Sequence, residues 1–287
     1  MLGLSISGGG ALGIGPAYYL SLAEADGIDW QSKVVSYAGT STGSILASAL
    51  AFGYTGDEIY DLYANNVKSI FKKIPWYKKL LNRRLPKYDN SVLKELLDCA
   101  FGETKLSQLK KYLYVTTNLL DRDNPDKIFD NEDNIEIKYA VASSCSAPTY
   151  FTPYGTKKNM SDGGLFANDP IAVLACGMKQ ANIKNPKIIS FVTCCSLPDN
   201  LDNCGDKSKL EWAMYIIDNV VARTGNYNKH LASMLIGNDN ILRLSPMIDK
   251  RRKMDDVSDK NIELVKRTWE NYYHDTRDKF KSFVESV

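Results

Sequence analysis

Histidine is nearly absent from this sequence: the 287-residue chain has two, His230 and His274. That scarcity narrows the search for a general base before any motif is considered. Six cysteines (Cys99, Cys145, Cys176, Cys194, Cys195, Cys204) form no C-x-x-C pair and no disulfide-rich cluster, which points away from a zinc or disulfide framework. Cys194 and Cys195 lie in an apolar, strand-like run where packing is the expected role, and free thiols fit a reducing compartment. No apolar stretch approaches the roughly 18 to 20 residues of a membrane span, and no leader-like segment precedes the first apolar run. The expected location is therefore the cytoplasm. There is no Pro/Gly/Ser-rich linker and no internal repeat, so a single domain over residues 1–287 is expected. Charge of either sign is not in excess, since the net charge is +2.

What the chain does have is apolar strand-like runs alternating with helical ones. LGLSI (Leu2 to Ile6), KVVSYAG (Lys33 to Gly39), YLYVTTNLL (Tyr112 to Leu120), NIEIKYAVASS (Asn134 to Ser144) and KIISFVTCC (Lys187 to Cys195) read as strands. Ala17 to Ala25, the run after Gly39, Leu210 to Ala222 and Asn261 to Phe283 read as helices. Near-continuous apolar strands separated by helices predict an α/β fold with a mostly parallel sheet covered on both faces.

Two glycine patterns compete to define the chemistry. Gly8, Gly10 and Gly13 satisfy G-x-G-x-x-G directly after the first strand, the setting of a dinucleotide-binding turn. Such a site wants an acidic residue at the end of the second strand for the ribose. That place holds Ala38-Gly39-Thr40-Ser41, and the nearest acids, Asp26 and Asp29, precede the strand. Gly39-Thr40-Ser41-Thr42-Gly43 is instead G-x-S-x-G between a predicted strand and a predicted helix, the context of a nucleophile elbow. So tight a turn needs flanking residues without side chains, and it sets Ser41 beside the amides of a helix N-terminus. The plainer reading of Ser41 is a helix cap.

A serine nucleophile needs a base. His274 lies in a polar C-terminal helix. A Ser41–Asp162–His230 order can be drawn as in α/β-hydrolases, but their elbow follows several strands and this one ends the second. Asp162, in Met160-Ser161-Asp162-Gly163-Gly164, is the carboxylate candidate. On residue physics alone a D-G turn explains it better. A glycine loop beside an elbow gives the first pattern another use, because Gly8, Gly9 and Gly10 bare backbone amides that can face an acyl oxyanion.

The ordered set Gly8-Gly9-Gly10-Ala11-Leu12-Gly13, Gly39-Thr40-Ser41-Thr42-Gly43 and Asp162-Gly163-Gly164 resembles the patatin-like phospholipases. AVASSCSAPTYFTPY (Ala140 to Tyr154) and GNDNILRLSP (Gly237 to Pro246) are similar to theirs as well, so the resemblance covers most of the chain. It implies a three-layer α/β/α patatin-like fold and a Ser–Asp dyad, with Ser41 acylated and Asp162 as base. It implies an oxyanion hole from the amides of Gly8, Gly9, Gly10 and Ala11, with Thr42 contributing, and Gly13, Gly39, Gly43, Gly163 and Gly164 as motif support. The implied activity is hydrolysis of fatty-acyl esters, phospholipids above all, with no metal and no cofactor. Many members carry Arg or Lys where this chain has Leu12, and Gly where it has Ser44. The alternatives kept open are a catalytically inactive lipid-binding relative and a dinucleotide-dependent oxidoreductase.

KSIFKKIPWYKKLLNRRLPKY (Lys68 to Tyr88) carries eight basic residues and no acid. Lys72, Lys73, Lys78, Lys79, Arg83 and Arg84 alternate with apolar residues including Trp76, a composition suited to a peripheral contact with an anionic bilayer. Pro75 and Pro86 divide it into short pieces, as in a lid. A locally packed insertion is the plain alternative; a nucleic-acid surface is not expected.

Overall fold

The computed structural model describes residues 1–82, 85–120, 126–193, 195–196, 208, 224–248 and 253–287. The expected helix Leu210–Ala222 lies outside them, as do Arg83, Arg84, Cys194, Cys204 and the side chain of Lys79. The strands of the central sheet are β1 (Leu2–Ile6), β2 (Val34–Gly39), β3 (Tyr112–Leu119), β4 (Asp126–Phe129), β5 (Met160–Asp162), β6 (Lys187–Phe191) and β7 (Ile241–Leu244). The helices are α1 (Ile14–Ala25), α2 (Thr42–Phe52), α3 (Gly56–Ile70), α4 (Trp76–Leu81), α5 (Ser91–Phe101), α6 (Ile137–Ser144), α7 (Gly164–Ala167), α8 (Ile171–Gln180), α9 (224–236) and α10 (Asp259–Glu285).

Strand alternation sorts the core into two layers. Leu2, Leu4 and Ile6 of β1, Leu113 and Val115 of β3, and Ile189 and Phe191 of β6 face α1, α2, α3 and α10. Ala38, Tyr114 and Ile188 face the other way, against Ile171, Leu174 and Met178 of α8 and Ala232 and Ile236 of α9. The result is the expected three-layer α/β/α arrangement. Its sheet runs β4-β3-β2-β1-β6-β7, parallel from β3 to β7. Tyr19 of α1 makes edge-on contacts with Phe191, Trp269, Tyr273 and Phe280 at 4.9–6.0 Å. Pairs of this kind add about 0.5–1.5 kcal/mol each beyond their burial, so they dock α10 firmly on α1.

One expected strand is a helix. Asn134 to Ser144 begins with an alternation, N-I-E-I, but Ile137, Ala140, Val141 and Ser144 are all fully buried, at a spacing of three and four residues. That is the helical period, and α6 follows it. The Ser143 hydroxyl donates to the Tyr139 carbonyl one turn back at 2.7 Å.

The sheet's register brings two distant segments together. β2 ends at Gly39, opposite Val115 of β3. β3 runs on beyond that point, and β5 fills the vacated edge antiparallel to it, with Asp162 opposite Thr117. β4 pairs with the same β3 residues, so β4 and β5 hold opposite edges and β5 lies on the β2 side. Asp162 therefore arrives just past the end of β2, where Ser41 begins the next helix.

Candidate active site

Ser41 has φ 53° and ψ −127°, a conformation that a non-glycine residue seldom holds. Its strain is on the order of 1–3 kcal/mol, which the surrounding packing must offset. Side chains are excluded on both flanks. A Cβ on Gly39 would lie 2.4 Å from the Gly43 carbonyl oxygen, and one on Gly43 would lie 2.1 Å from that of Ile6. The Ser41 side chain makes no capping bond to α2, so the helix-cap reading does not hold. The Ser41 amide donates to the Ser144 hydroxyl of α6 at 2.8 Å, and its carbonyl accepts from the Ser44 hydroxyl at 2.6 Å. Ser44 thus acts as a strut inside the elbow.

Asp162 is buried, with 7% of its surface exposed. Burial raises its carboxyl to about 6, against the opposing pull of the nearby Ser41 side chain and a hydrogen bond from the Gly164 amide. The Gly164 bond is 2.8 Å long, and the Asp162 amide is held by the Ser146 carbonyl at 3.1 Å. Gly163 leaves room for β3, since a Cβ there would lie 2.5 Å from the Thr116 backbone. A carboxylate at this position is desolvated, close enough to Ser41 for that side chain to lower its pKa, and able to ionise at neutral pH. That is what a general base requires. The neighbouring Cys145 thiol is pushed up by burial and by the charge of Asp162, so it stays protonated. His230 is exposed on α9, and among the described residues its ring makes no hydrogen bond to Asp162 or Ser41. His274 is also exposed and stands beside the Tyr273 ring.

The glycine loop passes directly against the elbow, where a Cβ on Gly8 would lie 3.2 Å from that of Ser41. Two amides expected to face an oxyanion are occupied. Gly8 donates to the Asn168 carbonyl at 3.0 Å and Ala11 to the Met254 carbonyl at 2.7 Å, which removes both from the donor set. The amides of Gly9 and Gly10 have no protein acceptor among the described residues, and Thr42 begins α2, where amides lack a preceding turn. Gly13 is not shaped for a pyrophosphate: a Cβ there would fall 1.9 Å from the Thr42 methyl, so this glycine admits the elbow helix. The Gly10 carbonyl accepts from the hydroxyls of Thr42, at 3.0 Å, and Tyr63. Tyr63 is brought there by α3, whose start is fixed by a capping box between Thr55 and Glu58.

Sequence reading missed Ser144, Asn168, Tyr63, Thr193 and Met254, all of which touch the site's backbone. Asn168-Asp169-Pro170, a helix start, was the visible signal for one of them. Arg243, within the Gly237 to Pro246 run, pairs with the buried Asp169 at 2.5 Å and so anchors the turn carrying Asn168.

Of the basic segment, Lys68 and Lys87 are tied to Asp259 and Asp255. Lys72, Lys73 and Lys78 are exposed, and α4 beside them leaves Trp76, Leu80 and Tyr77 at 76%, 68% and 53% exposure. Among the described residues, no helix is long and apolar enough to cross a membrane.

Comparison with known proteins identifies a family. A family model described as patatin-like phospholipase matches residues 4–175. The chain is 28% identical over 225 residues to a cGAMP-activated phospholipase of Vibrio cholerae, covering 66% of this chain and 63% of that protein. It is 32% identical over 210 residues to patatin-like protein 2 of Arabidopsis thaliana, covering 61% and 51%. It therefore spans between half and two-thirds of the length of these relatives. Among solved structures, VipD from Legionella pneumophila is similar at a TM-score of 0.49 and 15% identity, over 99% of this chain and 66% of that one.

Proposed function

Because this chain belongs to the patatin-like phospholipase family, we propose that it hydrolyses fatty-acyl esters of membrane lipids, with Ser41 as nucleophile and Asp162 as its base. The observation that carries the reading is the juxtaposition of a strained serine and a buried carboxyl raised to about 6, on whose pKa that serine acts directly. The Ser41 hydroxyl attacks the acyl carbonyl as its proton passes to Asp162. Negative charge grows on the former carbonyl oxygen, and the amides of Gly9, Gly10 and Thr42 are the donors free to meet it. The ester C–O bond breaks, the departing alkoxide takes the proton from Asp162, and the acyl group remains on Ser41. Water then gives a proton to Asp162 and attacks the acyl-enzyme. The fatty acid leaves as the proton returns to Ser41.

In this reading the enzyme works at a bilayer surface. Exposed Trp76, Tyr77 and Leu80 sink into the acyl boundary while Lys72, Lys73 and Lys78 meet anionic headgroups. Lys79, Arg83 and Arg84 extend the same basic run in sequence.

Intact-mass labelling with a lipid-like fluorophosphonate tests the dyad. One adduct is expected on the wild type and on His230→Ala, and none on Ser41→Ala or Asp162→Asn. An adduct retained by folded Ser41→Ala, or lost in folded His230→Ala, would overturn the assignment.

A further inference from the structure

The glycine loop is gripped from outside by its carbonyls. The Thr193 hydroxyl donates to the Gly8 carbonyl at 2.6 Å, and the Asn168 side-chain amide adds a longer bond of 3.4 Å. A trans peptide is planar, so its N–H points opposite to its C=O. Drawing the Gly8 carbonyl toward Thr193 turns the Gly9 N–H to the other side of the loop, where it has no protein acceptor among the described residues.

Thr193 is itself fixed. Its amide donates to the Ser7 hydroxyl oxygen at 2.9 Å, and the two hydroxyl oxygens lie 3.2 Å apart. Proton counting sets the direction of every bond. Thr193 gives its single hydroxyl proton to Gly8, so it can only accept from Ser7, and Ser7 accepts from the Thr193 amide. All three groups are buried, so no water competes for these protons. The contact also explains why position 9 has no side chain: a Cβ there would lie 2.1 Å from the Thr193 hydroxyl oxygen. The backbone at Gly9, with φ 176°, is extended and needs no glycine for its own sake.

We propose that Thr193, backed by Ser7, is a positioning residue for hydrolysis, holding the Gly8–Gly9 peptide so that the Gly9 amide faces the oxyanion. The inference rests on the Ser41–Asp162 reading and adds the residue that aims its oxyanion donor. The experiment measures kcat and KM on a soluble short-chain ester for wild type, Ser41→Ala, Thr193→Val and Thr193→Ser, with Tm for each. Thr193→Val keeps the shape and loses the proton. Its kcat should fall about 10- to 100-fold with KM within about twofold, because an amide turned away resembles a donor partly removed. Thr193→Ser should restore most of the rate. Should Thr193→Val be unfolded at the assay temperature, Thr193→Ala removes the same proton without overpacking and carries the same expectation. Wild-type kcat in a folded hydroxyl-free variant overturns the proposal, as does a loss that serine fails to restore. Activity surviving in Ser41→Ala instead overturns the underlying reading, and the two failures are told apart by that variant.

Discussion

Two strand-to-helix turns lie side by side at the end of this sheet, and they are built on opposite plans. The elbow after β2 takes its steric shape from its own residues and the strand beside it: Gly39 makes room for Gly43 and Ser44, and Gly43 for the Ile6 carbonyl, while Ser144 and Thr116 add hydrogen bonds from afar. The loop after β1 borrows its shape from far along the chain. Thr193, Asn168 and Met254 hold Gly8, Gly9, Gly10 and Ala11. One turn presents a side chain and has its backbone path set mostly by local sterics; the other presents backbone and is set by remote partners. A side chain is aimed by its own φ and ψ. An amide is aimed only through the carbonyl behind it, and something outside must hold that carbonyl.

The widest gap between the two plans should appear on adding one methyl group to each. In Gly43→Ala the new carbon meets the Ile6 carbonyl oxygen at 2.1 Å, backbone against backbone, and nothing there can move aside. A loss of about 3 kcal/mol or more is expected, read as a large drop in Tm. In Gly9→Ala the carbon meets the Thr193 hydroxyl oxygen at 2.1 Å and its Cβ at 2.7 Å, so the loop and Thr193 must move apart at the expense of the bond to Gly8. Because a loop facing a side chain can shift more easily than two packed backbones, Tm should fall less than in Gly43→Ala while kcat drops about 10- to 100-fold. Equal losses of Tm in the two variants would erase the distinction.

The same contrast explains which parts of the site were legible. Ser41, Gly39 and Gly43 could be read because their constraint is written in adjacent letters. Gly8 to Gly13 were visible as a loop, but the letters do not say which amides are free, since Asn168 and Met254 decide that from more than 150 residues away. Asp162 looked like an ordinary turn because its role depends on β5 filling the edge beyond β2, a matter of register between strands. The parallel sheet was readable from continuous apolar runs. Asn134 to Ser144 was misread because four alternating residues hid a helix whose small buried face suits close packing.

A second, smaller effect sharpens the elbow's half of the comparison. Lifting the Asp162 carboxyl from 3.8 to about 6 costs the folded anion about 3 kcal/mol. A raised carboxyl stabilises the fold below its unfolded pKa, and that contribution is lost as pH rises through about 6. Asp162→Asn should therefore raise Tm at pH near 7, with the gain fading toward pH near 4. In the wild type kcat should climb with pH and level off above about 6, since only the anion can take the proton. A flat profile across that range would mean that the buried carboxyl is not the base.

The smallest effect on either turn is expected from the basic segment. Replacing Lys72, Lys73 and Lys78 together by Gln should leave turnover of a soluble ester unchanged. Binding to anionic vesicles should weaken by about fivefold for each charge removed, as about 1 kcal/mol per lysine implies. A change on the soluble ester would show that this segment reaches the site, and unchanged vesicle binding would remove the bilayer from its role.

The Met254 carbonyl resting on the Ala11 amide also bears on the order in which the molecule is made. A ribosome releases the glycine loop and the elbow ahead of Ser144, Asn168, Thr193 and Met254, and both wait for those partners. Thr193 must emerge before the Gly9 amide is aimed, and Met254 must emerge, with α10 settled on α1, before the loop is closed over. Motifs made before their partners are thus among the last to acquire their working shape. On the proposed reading, Ser41 of a growing chain passes cellular membranes before the site that would cut them is assembled.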